Sequence, residues 1–366
     1  MNTHARIWSG RVSGRARVGF TLIEVLLGVL ILGLGLLGLA SVFPLVVKKQ
    51  RDAQDTVLGI SSVKGVESVL RGHSGLNSEL LDRGWAKFAS RLKELANQKS
   101  TREVLWSDVL NAPANTIERI YGNTVALGGG ASLTAEPGSI VFWGSGGPGS
   151  ATPDTVVLRT SDRLIPQGPG VTPQYVWDIV PILAGPLPNP EPRLPTIRVA
   201  MFVRRIDGGI RVPSGKTLTE VIANGEAAAI AWSGGFPTFD GKLTGGASYA
   251  GFFAVRANKA AQRYSVKGET YNVLQFGGLA KGSGQLAAVR QIGQQLIDND
   301  GNIYTVISLP QERSSGYDPE SSVVISPPLT DAQALAITTG GGTGGAVEFL
   351  VSPVIPASVE VADIRP

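Results

Sequence analysis

From Val25 to Val47 the chain carries no charged side chain. As an α-helix rising 1.5 Å per residue, that stretch is about 35 Å long. The hydrocarbon core of a bilayer is about 30 Å thick, so the stretch reads as a membrane-spanning helix. Residues 1–19 contain Arg6, Arg11, Arg15 and Arg17 and no acid, a bias that places the N-terminus in the cytoplasm. Lys48, Lys49 and Arg51 on the far side weaken that bias without reversing it. One residue breaks the pattern. Glu24 sets a carboxylate near the start of the span, at a cost of up to about 3 kcal/mol and less if it snorkels to the interface. A plain anchor has no use for it.

The run Gly19-Phe20-Thr21-Leu22-Ile23-Glu24-Val25-Leu26-Leu27 resembles the class III signal of type IV pilins and type II secretion pseudopilins, and matches GFTLIEVL residue for residue. The resemblance covers about the first 50 residues. It implies cleavage by a prepilin peptidase between Gly19 and Phe20, and N-methylation of the new Phe20 amine. It also implies that Glu24 meets the N-terminal amine of a neighbouring subunit. The physics is coherent, because a carboxylate buried among packed helices needs a cation. Expected partners are other pilin or pseudopilin subunits, the inner membrane and an assembly platform. The expected place is the inner membrane, single-pass, with a cytoplasmic N-terminus and a periplasmic globular part, and then the filament. Two other readings stay open. Gly38-Leu39-Ala40 is a small-x-small site at which an ordinary secretory signal ends, although the run from Phe20 to Leu37 is longer than the usual apolar region. An uncleaved anchor is the other.

Composition refines this. Hydrophobic residues make up 43% of the 366 and charged ones 17%, which is enough for a real core. Gly 47 and Pro 23 favour turns and short strands over a helical bundle. Cysteine is absent, which removes disulfides, thiolate chemistry and Cys-ligated metals. Many pilins carry a disulfide near the C-terminus, and this chain departs from them there. The formal charge of +4 comes from 33 basic and 29 acidic side chains. Loss of the four leader arginines would leave a neutral mature chain, so its basicity belongs to targeting and nucleic acid is not an expected partner.

Beyond Arg51 the helix is expected to continue, with Val57, Leu58, Ile60, Val63, Val66, Val69 and Leu70 on an apolar face and an end near His73. Helices are also predicted over 76–98, carrying Leu80, Leu81, Trp85, Phe88, Leu92 and Leu95, and over 102–110, with Pro113 closing the region. Strands are predicted at 155–159, 175–180, 196–205, 249–255, 270–276, 292–297, 303–309, 322–325 and 346–351. Flexible loops are predicted at 128–130, 144–149 and 340–345. The Pro-rich stretch 185–195 reads as a link between two strands. The expected fold is α+β: a long N-terminal transmembrane and amphipathic helix packed on a mainly antiparallel β region, like an enlarged pilin. Its expected parts are a leader at 1–19, the span at 20–47, helices at 48–115 and a β-rich region at 116–366.

Several motifs approach chemistry and fall short. Asp298-Asn299-Asp300-Gly301-Asn302 is similar to a calcium loop, but its Gly comes two positions early and no Glu follows at the required offset. It reads as a hairpin with an Asp-Gly turn; calcium at Asp298 and Asp300 is the alternative, and no other cofactor is expected. Gly215-Lys216-Thr217 lacks the first P-loop glycine, since Ile210 stands there, and Pro213 removes a backbone donor. His73 is the one histidine outside the leader, and no G-x-S-x-G or HExxH pattern occurs. Arg198, Arg204, Arg205 and Arg211 read as a solvated strand face. No enzymatic activity is expected.

Overall fold

The computed structural model describes residues 21–71, 78–111, 117–119, 124–126, 132–134, 140–142, 156–158, 160–165, 175–205, 252–266, 269–310, 318–339, 347–352 and 355–366. Gly19, Phe20, His73, Pro113, Arg211, Gly215–Thr217 and the three Gly-rich stretches lie outside them. The chain divides into two compact units, between Gln54 and Asp55.

Helix α1 runs from Leu22 to Leu70 with Pro44 inside it, and the helix continues on both sides of that proline. In the first unit, Leu22–Val47 is long and apolar enough to cross a membrane, and none of it is buried in the protein. In the second unit the same helix changes character. Gly59, Val63, Val66 and Leu70 form one buried stripe, at the i, i+4, i+7 spacing of a helix face. Burying each of the three large side chains stabilises the unit by about 1.5–3 kcal/mol. Val57, Leu58 and Ile60 are exposed instead, so the inward face is turned away from the one the apolar pattern suggests. Gly59 explains the turn. A Cβ there would lie 2.9 Å from the Ser358 Cβ and 3.0 Å from the Ala357 carbonyl oxygen, so the helix seats on backbone where only glycine fits. Gly59→Ala is therefore expected to lower the thermal midpoint. Overpacking costs about 1–3 kcal/mol, more than the roughly 1 kcal/mol that alanine returns in helix propensity. A midpoint at or above wild type in a thermal melt would show that the helix does not seat there.

Helices α2 (Ser78–Asn97) and α3 (Trp106–Asn111) follow. Trp85, Phe88, Ala89, Leu92 and Ala96 bury one side of α2 in the core that holds Val63, Val66 and Leu70. The Trp85 Nε1–H donates to the Leu70 carbonyl at 3.3 Å, which satisfies one of the free carbonyls at the end of α1.

The β part begins with short strands: β1 (Ile117–Arg119), β2 (Thr124–Ala126), β3 (Ser132–Thr134), β4 (Ile140–Phe142) and β5 (Val156–Leu158). Strands β1, β4 and β5 form one sheet, and β2 pairs with β3. The helical turn α4 (Thr160–Arg163) then leads into β6 (Leu164–Ile165), β7 (Tyr175–Leu183) and β8 (Ile197–Arg205). Strand β8 is buried on both faces from Val199 to Val203, as its nearly unbroken apolar run requires. The Pro-rich link joins β7 to β8, which pair antiparallel.

Six further strands close a barrel: β9 (Phe253–Val266), β10 (Glu269–Phe276), β11 (Gln295–Asp298), β12 (Ile303–Ser308), β13 (Ser322–Ser326) and β14 (Glu348–Val351), in the order β10-β13-β12-β11-β14-β9. Short helices α5 (Gly284–Val289) and α6 (Asp331–Thr339) are carried on its connections. The barrel has a core of its own, in which Phe349 meets Phe276 and Tyr304 edge-on. The last strand, β15 (Ser358–Ile364), returns to the sheet of β6–β8 and pairs with β8, giving the order β15-β8-β7-β6. The barrel is thus strung between two strands that are themselves neighbours. Every strand pair among the described residues is antiparallel, and the fold is α+β.

Candidate functional site

Thr21 is the last residue before α1 and Glu24 lies in its first turn. The Glu24 Oε2 accepts from the Thr21 backbone N–H at 2.8 Å and from the Thr21 hydroxyl at 2.9 Å. In return the Glu24 N–H approaches Thr21 Oγ1 at 3.4 Å. This is a capping box, in which two unpaired donors at a helix start are satisfied reciprocally. It also holds the negative charge at the positive end of the helix dipole. No cation among the described residues pairs with Glu24. Below it Leu22, Ile23, Val25 and Leu26 are all exposed, so the carboxylate stands at the head of a bare apolar rod. The T-x-x-E signal for this box is present in the sequence, and Thr21 is the residue that a reading centred on Glu24 leaves out.

The alternative metal candidates do not converge. Asp298 and Asp300 share the β11–β12 hairpin, but Asp298 turns into the core and Asp300 is exposed. Asp298 accepts from the Asn302 N–H and Nδ2–H, both at 2.8 Å, from the Tyr304 hydroxyl at 3.0 Å and from Gln333 Nε2 at 2.5 Å. Burial pushes the Asp298 carboxyl up from its ordinary range, and these donors oppose the shift. The Asp298 N–H donates to the Asn302 carbonyl at 3.1 Å and closes a three-residue loop, Asn299–Gly301, with Gly301 at φ +85° and its N–H on the Asp298 carbonyl at 3.1 Å. That geometry is a turn followed by a left-handed residue, longer than a two-residue Asp-Gly turn. Nearby, Thr330 and Gln333 form a second capping box at the start of α6. Gln333 therefore ties that helix to the hairpin.

Glu103, between α2 and α3, faces the same hairpin. Burial raises its carboxyl, and Asp300 and Glu348 raise it further, against a hydrogen bond from Asn299 and the charge of Lys99. A raised carboxyl penalises the ionised form in the fold. The favourable contribution is present when the group is protonated and is lost as pH rises through the folded value. Glu103→Gln is expected to be more stable than wild type at pH 7 in urea unfolding. The difference should vanish below the ordinary carboxylate range; an equal or lower midpoint at pH 7 would contradict the assignment.

Arg198 and Arg204 correct the expectation of a solvated face, while the Arg205 side chain and Arg211 lie outside the described residues. Arg204 is buried and pairs with Asp178 of β7, whose other oxygen pairs with buried Arg163 of α4. Arg163 Nε also donates to the Trp177 carbonyl at 3.0 Å, and the Arg204 guanidinium lies 5.5 Å from the Phe252 ring centre. Desolvation lowers Arg204 to about 10, so it stays charged at neutral pH. Arg198 is largely buried too, and pairs with Asp363 of β15 at 3.0 Å. Arg198 and Arg204 join β8 to its two neighbouring strands, and Arg163 ties α4 to β7.

No family model, curated protein or solved structure matches this chain. What distinguishes the site is local: a carboxylate capped by its own chain, at the start of the one helix among the described residues that can span a bilayer.

Proposed function

We propose that this chain is a prepilin-like structural subunit, processed after Gly19, N-methylated at Phe20 and incorporated into a type IV pilus or a type II secretion pseudopilus. One observation carries the reading: Glu24, separated by Thr21, Leu22 and Ile23 from the Gly19-Phe20 junction, heads an apolar helix that no described residue covers. A carboxylate in that position is costly in a bilayer and gains a purpose when helices bundle and a new N-terminal amine lies nearby. In this reading the subunit waits in the inner membrane with its N-terminus in the cytoplasm and its β part in the periplasm. The prepilin peptidase, an assembly platform and other pilin-type subunits are its partners. The chemistry needs no cofactor and no catalytic residue.

Mass spectrometry of the mature N-terminus is the test. The expected result is a chain that begins at Phe20 with a methylated amine, and a Gly19→Ala variant that stays unprocessed. Normal processing of Gly19→Ala would remove the proposal. The second reading is an exported or tethered domain that uses the helix only as signal or anchor, favoured by a barrel with its own core. A mature start at Ser41 would select ordinary secretion.

A further inference from the structure

We draw no further inference here: the strongest candidate, the carboxylate cluster of Glu103, Asp298, Asp300 and Glu348 around the β11–β12 hairpin, is a group of acids alone in which Asp298 and Glu348 are already taken by donors of the same chain.

Discussion

A Glu24→Ala chain is expected to enter the membrane as well as wild type and to fail to appear in filaments. Insertion should not suffer, because removing a carboxylate from a spanning helix relieves a cost of up to about 3 kcal/mol. Two losses accompany the change. The capping bonds with Thr21 disappear, which frays the first turn at a cost of about 1 kcal/mol. The proposed acceptor for a neighbouring subunit's amine disappears as well. Glu24→Gln separates the two. A glutamine keeps a capping box but carries no charge. If charge pairing between subunits is the role, Gln should fail as Ala does; if capping is the role, Gln should assemble like wild type. The readout is the ratio of sheared-filament protein to membrane protein, by immunoblot. Wild-type ratios for both variants would end the assembly role of Glu24.

The largest stability effect should come from Asp178→Ala. Its carboxylate lies between two buried guanidiniums, with one oxygen on Arg163 and the other on Arg204. Removing one member of a buried charge cluster leaves uncompensated charge in a low-dielectric interior, at about 3–5 kcal/mol. A solvated pair such as Lys64–Glu67, 3.4 Å apart, contributes far less. Against a typical domain stability of 5–15 kcal/mol, the Asp178 loss should bring the urea midpoint down by a large fraction. A midpoint shift below about 1 kcal/mol equivalent would mean that the cluster relaxes to water.

Much of the backbone plan could be read from side-chain order, and the exceptions share causes. Helix α1 announces itself through its apolar run. Its inward face did not, because Val57, Leu58 and Ile60 are as apolar as Val63 and Val66, and the deciding residue is a glycine that hydrophobic periodicity ignores. Strands β7, β8, β10, β12, β13 and β14 match the predicted runs closely. Strand β9 begins at Phe253 and extends to Val266, well past the predicted end at Val255, because Arg256, Asn258 and Lys259 interrupt the apolar pattern on a barrel face. Strand β15 was missed because Glu360 and Asp363 dilute a half-buried alternation. Helices α5 and α6 are short, although Ser283 and the Thr330–Gln333 box were legible signals for their starts. Barrel closure was beyond reach, since the β9–β14 and β10–β13 pairings join distant residues. The Arg163–Asp178–Arg204 cluster was hidden for the same reason: three charges from three elements resemble surface residues until the fold brings them together. At the helix start, Glu24 was legible from its oddity in an apolar run, and Thr21 from its spacing.

The insertion of the barrel between β8 and β15 has a mechanical consequence. Any tension applied through the Asp55–Leu70 part of α1 would reach β7 by the Asp55–Tyr175 hydrogen bond at 2.7 Å. It would reach β15 by the Gly59 contact and the Lys64–Glu360 ion pair. Strands β7, β8 and β15 are laddered directly to one another, so the load crosses the sheet and never has to traverse the barrel. The barrel hangs beside the tension path like a side branch on a rope. It leans on that path where Ile297 and Leu350 enter the core of the sheet.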